Sequence, residues 1–139
     1  MNTIVRLDTR GRLVIPNEFR EQLNLNEGDE VLLSLDKKTD SITISPIYGK
    51  TKDLVKMEIE FGDEPGCLAR IAQKLGNMKI DLIMTESKSS QRGKAARWNI
   101  IADLSESSLS ANEIKQSLLR SGFVESMSIT RIARERLHR

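Results

Sequence analysis

Arginine is the residue whose type and spacing point most directly to chemistry in this chain. Arg6, Arg10, Arg12 and Arg20 fall between Ile4 and Arg20, around Gly11 and Pro16. A guanidinium is always charged and offers its donors in a flat fork, which fits a phosphate or a guanine edge. Four of them cannot be buried together in a core. Contact with the phosphates of duplex nucleic acid is the expected explanation. The competing one is a solvated or ion-paired surface, with Arg10 beside Asp8. A second signal runs from Asp63 through Glu64, Pro65, Gly66, Cys67 and Leu68 to Ile71. Here Gly66 can present backbone N–H groups at a helix N-terminus, where the helix dipole favours a carboxylate. Asp63 can accept from a cationic group such as an ammonium, so the loop reads as part of a small-molecule sensing module. The alternative is a tight turn and helix cap in a module that serves only for dimerisation.

Most other chemistries lack their residues. Cys67 is the single cysteine, which excludes an intrachain disulfide and any multi-cysteine metal site, and its place beside the turn predicts a packed side chain. His138, the single histidine, is one residue from the end and is expected to be solvated. No nucleophile, base and acid converge, so an enzyme is not expected, nor is any metal or cofactor. Aromatic residues make up 4% of the chain, too few for a base-stacking platform, which argues against a single-stranded nucleic-acid binder. The net charge of +2 is unevenly spread. The first twenty residues set four arginines against Asp8 and Glu18, and the end sets Arg131, Arg134, Arg136 and Arg139 against Glu135. Two basic ends on a balanced body predict local anion-binding surfaces, the second of them equally readable as a loose charged tail. No stretch approaches the roughly 20 apolar residues of a membrane span. Arg6 and Asp8 interrupt any signal-peptide core, so a cytoplasmic, nucleoid-associated location is expected.

The elements that must position these residues fall into two sets. Residues 3–7 and 13–15 are strand-prone around the turn Asp8–Gly11, Pro16 suits the first helical position, and a helix is expected over Asn17–Leu23 with Phe19 and Leu23 on its buried face. A turn at Asn26–Asp29 leads to a hairpin of Val31–Leu35 and Ser41–Ser45 across Lys37–Asp40. This unit ends near Ile47. About 46 residues without disulfide or metal bury too little apolar surface to be safely stable alone, so a dimer is expected on energetic grounds. Residues 48–53 are polar and contain glycine, the pattern of a linker. Beyond them Val55, Met57, Ile59 and Phe61 alternate with charged residues. Leu68, Ile71, Ala72, Leu75 and Met78 have helical spacing, Ile80–Ser87 is a strand, and Ser89–Lys94 a polar connection. Trp98, Ile100, Ala102 and Leu104 alternate again, with Trp98 in the core or at an interface. Ser110 caps a helix over Ala111–Arg120 that stacks Ile114 on Leu118 and ends at Gly122. Val124–Ile132 is the last strand. The order βαββαβ is that of a split-βαβ, ferredoxin-like sandwich, and the chain as a whole is α+β with two domains.

Residues 3–47 resemble the AbrB-like swapped-hairpin family of prokaryotic regulators and antitoxins. The resemblance rests on Val5 and Arg6, on Asp8 through Pro16, on Phe19 and Arg20, and on Leu25 through Val31. It implies a β-barrel made by two interleaved chains that binds double-stranded DNA. The family's DNA-contacting arginines fall on Arg6, Arg12 and Arg20, with Arg10 between them. Where some members carry a second helical arginine this chain has Glu21, which counts against an unusually strong grip. Residues 54–132 resemble the ACT family of amino-acid-sensing domains, through the βαββαβ order, the loop from Asp63 to Ile71 and the run Met78 to Ile83. That resemblance places a ligand against Asp63, Glu64, Gly66 and Cys67 of the loop, with Ile83 and Met84 on the strand nearby. Residues 133–139 form a basic tail. Together these readings imply a transcriptional regulator, a homodimer or tetramer, that responds to an amino acid or similar effector. Two alternatives stand beside it. One is an antitoxin, although antitoxins of this fold use an extended tail where residues 54–132 read as folded. The other is a regulatory subunit of an amino-acid-biosynthesis enzyme, which gives the arginines no role.

Overall fold

The computed structural model describes residues 1–62, 64–91 and 95–135. The chain divides into two compact units, Met1–Gly49 and Lys50–Arg139. The first contains α1 (Asn17–Gln22), β1 (Val31–Asp36) and β2 (Ser41–Pro46). The second contains β3 (Leu54–Phe61), α2 (Cys67–Asn77), β4 (Asp81–Gln91), β5 (Ala95–Asp103), α3 (Ala111–Arg120) and β6 (Val124–Arg131).

The N-terminal unit departs from expectation in its first sixteen residues, which contain no strand. Only the turn is formed. The Asp8 N–H donates to the Arg12 carbonyl at 3.0 Å and the Gly11 N–H to the Asp8 carbonyl at 3.1 Å. This closes a three-residue loop whose last position, Gly11, is left-handed at φ +74°, the geometry of a type I turn followed by a bulge. On either side Ile4, Leu7 and Val14 are exposed, Ile4 almost completely. Residues 3–7 and 13–15 pack against no buried residue of Met1–Gly49, and a bare two-stranded ribbon is marginal in water. Pro16 takes the capping position before α1, with ψ 149°, not the first helical position. The helix stops at Gln22, leaving Phe19 half-buried and Leu23 exposed.

The hairpin β1–β2 pairs Val31 with Pro46 through to Asp36 with Ser41. Its loop turns at Asp40, which is left-handed at φ 50°, and the Asp36 carboxylate accepts the Lys38 N–H at 2.9 Å. The opposed pairs Leu33 with Ile44 and Leu35 with Ile42 put four aliphatic side chains on one face. Leu33, Leu35 and Ile42 remain 64%, 68% and 67% exposed, and no residue of Met1–Gly49 is buried. The expected barrel is accordingly not closed within one chain: the unit carries a single two-stranded sheet.

The second unit has its own core. Its sheet has the order β4-β5-β3-β6 with every neighbouring pair antiparallel, the ferredoxin-like arrangement of a βαββαβ chain. Val55, Met57, Ile59 and Phe61 of β3 lie opposite Ala102, Ile100, Trp98 and Ala96 of β5, and all are buried. Ile71 and Leu75 of α2 and Ile114 and Leu118 of α3 complete the cluster. The alternate residues Lys56, Glu58, Glu60 and Arg97 occupy the other face, so the apolar period of two sets which side the helices cover. Leu68 is exposed, and Cys67 holds the buried first-turn place instead. Ser110 and Glu113 form a reciprocal capping box on α3. Strand β4 continues to Gln91, so the expected polar connection begins later than Ser89, and Arg92, Gly93 and Lys94 lie outside the described residues.

The expected linker is partly anchored. Arg134 donates to the Thr51 carbonyl at 2.7 Å and its hydroxyl at 2.9 Å. The buried Asp103 carboxylate accepts the backbone N–H groups of Lys52 and Asp53, each at 3.2 Å, and that of Ser105 at 2.9 Å. Burial alone would raise the pKa of Asp103, but the donors from Ser105, Asp53 and Lys52 outweigh it and hold the group below the usual carboxylate range. Among the described residues no helix is long and apolar enough to cross a membrane.

Candidate nucleic-acid interface

The arginines sit on two short devices of the N-terminal unit. The first is the turn at Gly11. Asp8 organises it from the inside: one carboxylate oxygen accepts the backbone N–H groups of Arg10 at 2.8 Å and Arg12 at 2.9 Å, the Asx-turn pattern that makes aspartate a turn residue. The other oxygen accepts the Nε–H of Arg12 at 2.6 Å. The backbone N–H of Arg12 and then its guanidinium are the main reasons the Asp8 carboxyl is held below its ordinary value. The ion pair expected between Asp8 and Arg10 is thus made with Arg12. Arg10 offers Asp8 only its backbone, because a residue at the tip of a three-residue loop aims its side chain outward while Arg12 leaves the loop alongside Asp8. The Arg12 side chain remains 70% exposed despite the pair. Arg6 and Arg10 make no side-chain hydrogen bond or ion pair among the described residues, and both are exposed.

The second device is α1. Pro16 admits the chain to the helix, and one turn later Arg20 folds back over its start. Its Nε–H donates to the Ile15 carbonyl at 3.1 Å and one terminal nitrogen to Asn17 Oδ1 at 2.8 Å. Arg20 and Asn17 also line an open polar hollow of about 360 Å³ with Glu21, Asn24 and Asn26. Glu21 therefore stands on the surface that Arg20 presents, where its charge opposes an approaching phosphate. Asn26 and Asp29 close the adjoining turn, Asp29 accepting the Asn26 N–H at 2.7 Å. Asn17 did not stand out in the sequence as an arginine partner, and Asp8 stood out only as a partner of Arg10. The readable signal was the turn chemistry of Asp8 and the three-residue separation of Asn17 and Arg20 on one helical face.

The residues expected around a small ligand are placed less completely. Gly66 is left-handed at φ +88° and precedes α2 without a side-chain cap, and Glu64 accepts the Cys67 N–H through its carbonyl at 3.2 Å. Glu64 and Gly66 are exposed, and Cys67 is packed in the core. Ile83 is the extra residue of a bulge on edge strand β4, between Leu82 opposite Ala102 and Met84 opposite Ile101. Asp63, which was to receive the ammonium, lies outside the described residues, as does His138.

A turn-mounted and a helix-mounted arginine thus sit on a small α/β unit with an uncovered aliphatic hairpin. Residues 4–53 match the family described as Antidote-toxin recognition MazE, bacterial antitoxin, and carry a MazE/AbrB-type domain of that kind. No curated protein matches the chain.

Proposed function

We propose that the chain is a transcriptional regulator that binds duplex DNA through two copies of residues 1–47, with Arg6, Arg12 and Arg20 as the contacts and Arg10 on their margin. The observation that carries this reading is the exposed, anchored presentation of Arg12 and Arg20 in a unit that has no buried residue of its own. Such a unit gains a core when a second chain covers Leu33, Leu35 and Ile42, and pairing doubles the arginines. Six phosphate contacts per dimer predict an affinity that falls roughly a thousandfold between 50 and 200 mM salt. Arg12→Ala removes two contacts per dimer, so the slope of log affinity against log salt falls by about two. An unchanged slope and affinity in a gel-shift titration remove Arg12 from the interface.

Residues 54–132 act in this reading as an ACT-type sensor and oligomerisation domain, residues 48–53 as the connection and 133–139 as a basic tail. The ferredoxin-like strand order and the left-handed Gly66 before α2 support it. The ligand is an amino acid or similar zwitterion held by the loop at Glu64 and Gly66, with Asp63 on its ammonium and Ile83 and Met84 beside it. Thermal shift of the full chain against the twenty amino acids tests this part by itself. No shift at millimolar concentration leaves a dimerisation role.

The family match supports a second reading, an antitoxin that represses its own operon and neutralises a toxin. Co-purification of a small partner protein with the full chain separates it from the first.

A further inference from the structure

The two best-placed arginines share a geometric feature that charge alone does not require. Arg12 and Arg20 each spend the Nε–H on a fixed acceptor within five residues of sequence, Asp8 Oδ2 at 2.6 Å and the Ile15 carbonyl at 3.1 Å. A guanidinium tied at Nε loses much of its rotational freedom. Its outer edge, carrying the terminal N–H groups, is left facing away from the tie. That edge is the part that forks onto two acceptors at once. For Arg12 the acceptor is itself rigid, because the other Asp8 oxygen is occupied by the backbone N–H groups of Arg10 and Arg12. An exposed ion pair of this sort contributes little to stability. It also places a negative charge beside a residue proposed to meet phosphate, which weakens plain electrostatic attraction. The turn accounts for the backbone contacts of Asp8; its second oxygen on Arg12 Nε adds nothing to the turn and fixes the orientation of the guanidinium.

We infer that Asp8 is a positioning residue that aims Arg12 at a base edge, so that Arg12 contributes sequence discrimination and not only phosphate affinity. Arg20 is tied at Nε by the Ile15 carbonyl, and Asn17 Oδ1 takes up one of its terminal nitrogens, leaving the other to reach a ligand. The inference rests on the DNA-binding reading given above and adds to it the division of labour among the arginines. Arg6 and Arg10, exposed and with no side-chain partner among the described residues, are the contacts that follow the backbone. Arg12 and Arg20, pre-oriented, add the reading of a base edge to their contact with phosphate. Pre-orientation lowers the entropy lost on binding and penalises a mismatched edge.

Asp8→Asn tests this with opposite signs for the two explanations. Asparagine keeps an oxygen to accept the backbone N–H groups of the turn but sets an NH2 against Arg12 Nε and removes a negative charge. The full chain is first used to enrich duplexes from a random library. Affinities are then measured for an enriched 30-base-pair duplex and for a shuffled duplex of the same composition. Positioning predicts that D8N binds the enriched duplex about tenfold more weakly while the shuffled duplex is bound as tightly as before or more so. Arg12→Lys, which keeps the charge and lacks the tie, behaves alike, and unchanged thermal melting of both variants verifies the fold. If D8N binds both duplexes equally or more tightly, Asp8 has no positioning role and the inference fails while DNA binding stands. If Arg12→Ala matches the wild type on both duplexes, the DNA-binding reading fails at this residue as well. If the library yields no enriched sequence, the claim of base reading is overturned outright.

Discussion

Truncating Leu35 on the bare face of the hairpin should do more damage than its surface position suggests. Leu35 lies opposite Ile42, diagonal to the Leu33–Ile44 pair, and is 68% exposed in the single chain. Fully burying a leucine is worth about 1.5–3 kcal/mol. Covering the remaining two-thirds of this side chain in two copies is therefore worth roughly 3 kcal/mol per dimer. Loss of that amount weakens association by about a hundredfold. The assay is amide hydrogen exchange on the full chain over a dilution series. Exchange in β1 and β2 should depend on concentration, because their protection comes from the partner. Exchange in β3 and β5 should depend on it far less, since Met57, Ile59 and Ile100 are buried within their own unit. Leu35→Ala then moves the half-protection concentration of the hairpin up by about two decades and leaves β3 and β5 where they were. Hairpin exchange that is the same in wild type and variant at every concentration would refute the argument that a second chain supplies the missing core.

Two further outcomes follow from the second unit. Asp103→Ala leaves the part-buried N–H groups of Lys52, Asp53 and Ser105 without their acceptor and should lower the stability of this unit by about 2–4 kcal/mol, read from its thermal midpoint. Because the folded pKa of Asp103 is depressed, its contribution is present above the unfolded carboxylate value and fades as the pH falls through the folded one; the difference between variant and wild type should shrink in acid and stay constant near neutrality. Ser110→Ala removes one half of the capping box with Glu113 and should cost about 1 kcal/mol, again in the melting of this unit, with DNA affinity unaltered.

Local rules made the second unit the more readable of the two. The alternation of Val55, Met57, Ile59 and Phe61 needed only the pleat of a strand, and α3 announces its start with Ser110 and Glu113 and its stop with Gly122, left-handed at φ +88°. In the first unit the same alternation around Arg6 and Val14 marks strand character that one chain does not realise, and no residue of Met1–Gly49 is buried to support it. The arginines themselves were plain in the sequence, whereas their fixing was not. Which carboxylate oxygen meets which guanidinium is decided by the three-residue loop at Gly11, and the sequence spacing of Asp8 suited Arg10 equally well. Asp103 was missed for a different reason. A buried carboxylate whose partners are backbone N–H groups about fifty residues earlier leaves no side-chain pattern to read.

Two copies of the arginine-bearing unit are proposed to bind one duplex. The most direct test is an equilibrium titration of a labelled duplex from the enriched pool with the full chain, with stoichiometry and affinity measured across a salt series. The expected result is an even number of chains per duplex and a log–log salt slope of about five, falling to about three or four in Arg12→Ala. One chain per duplex, or an affinity that does not respond to salt, would contradict it.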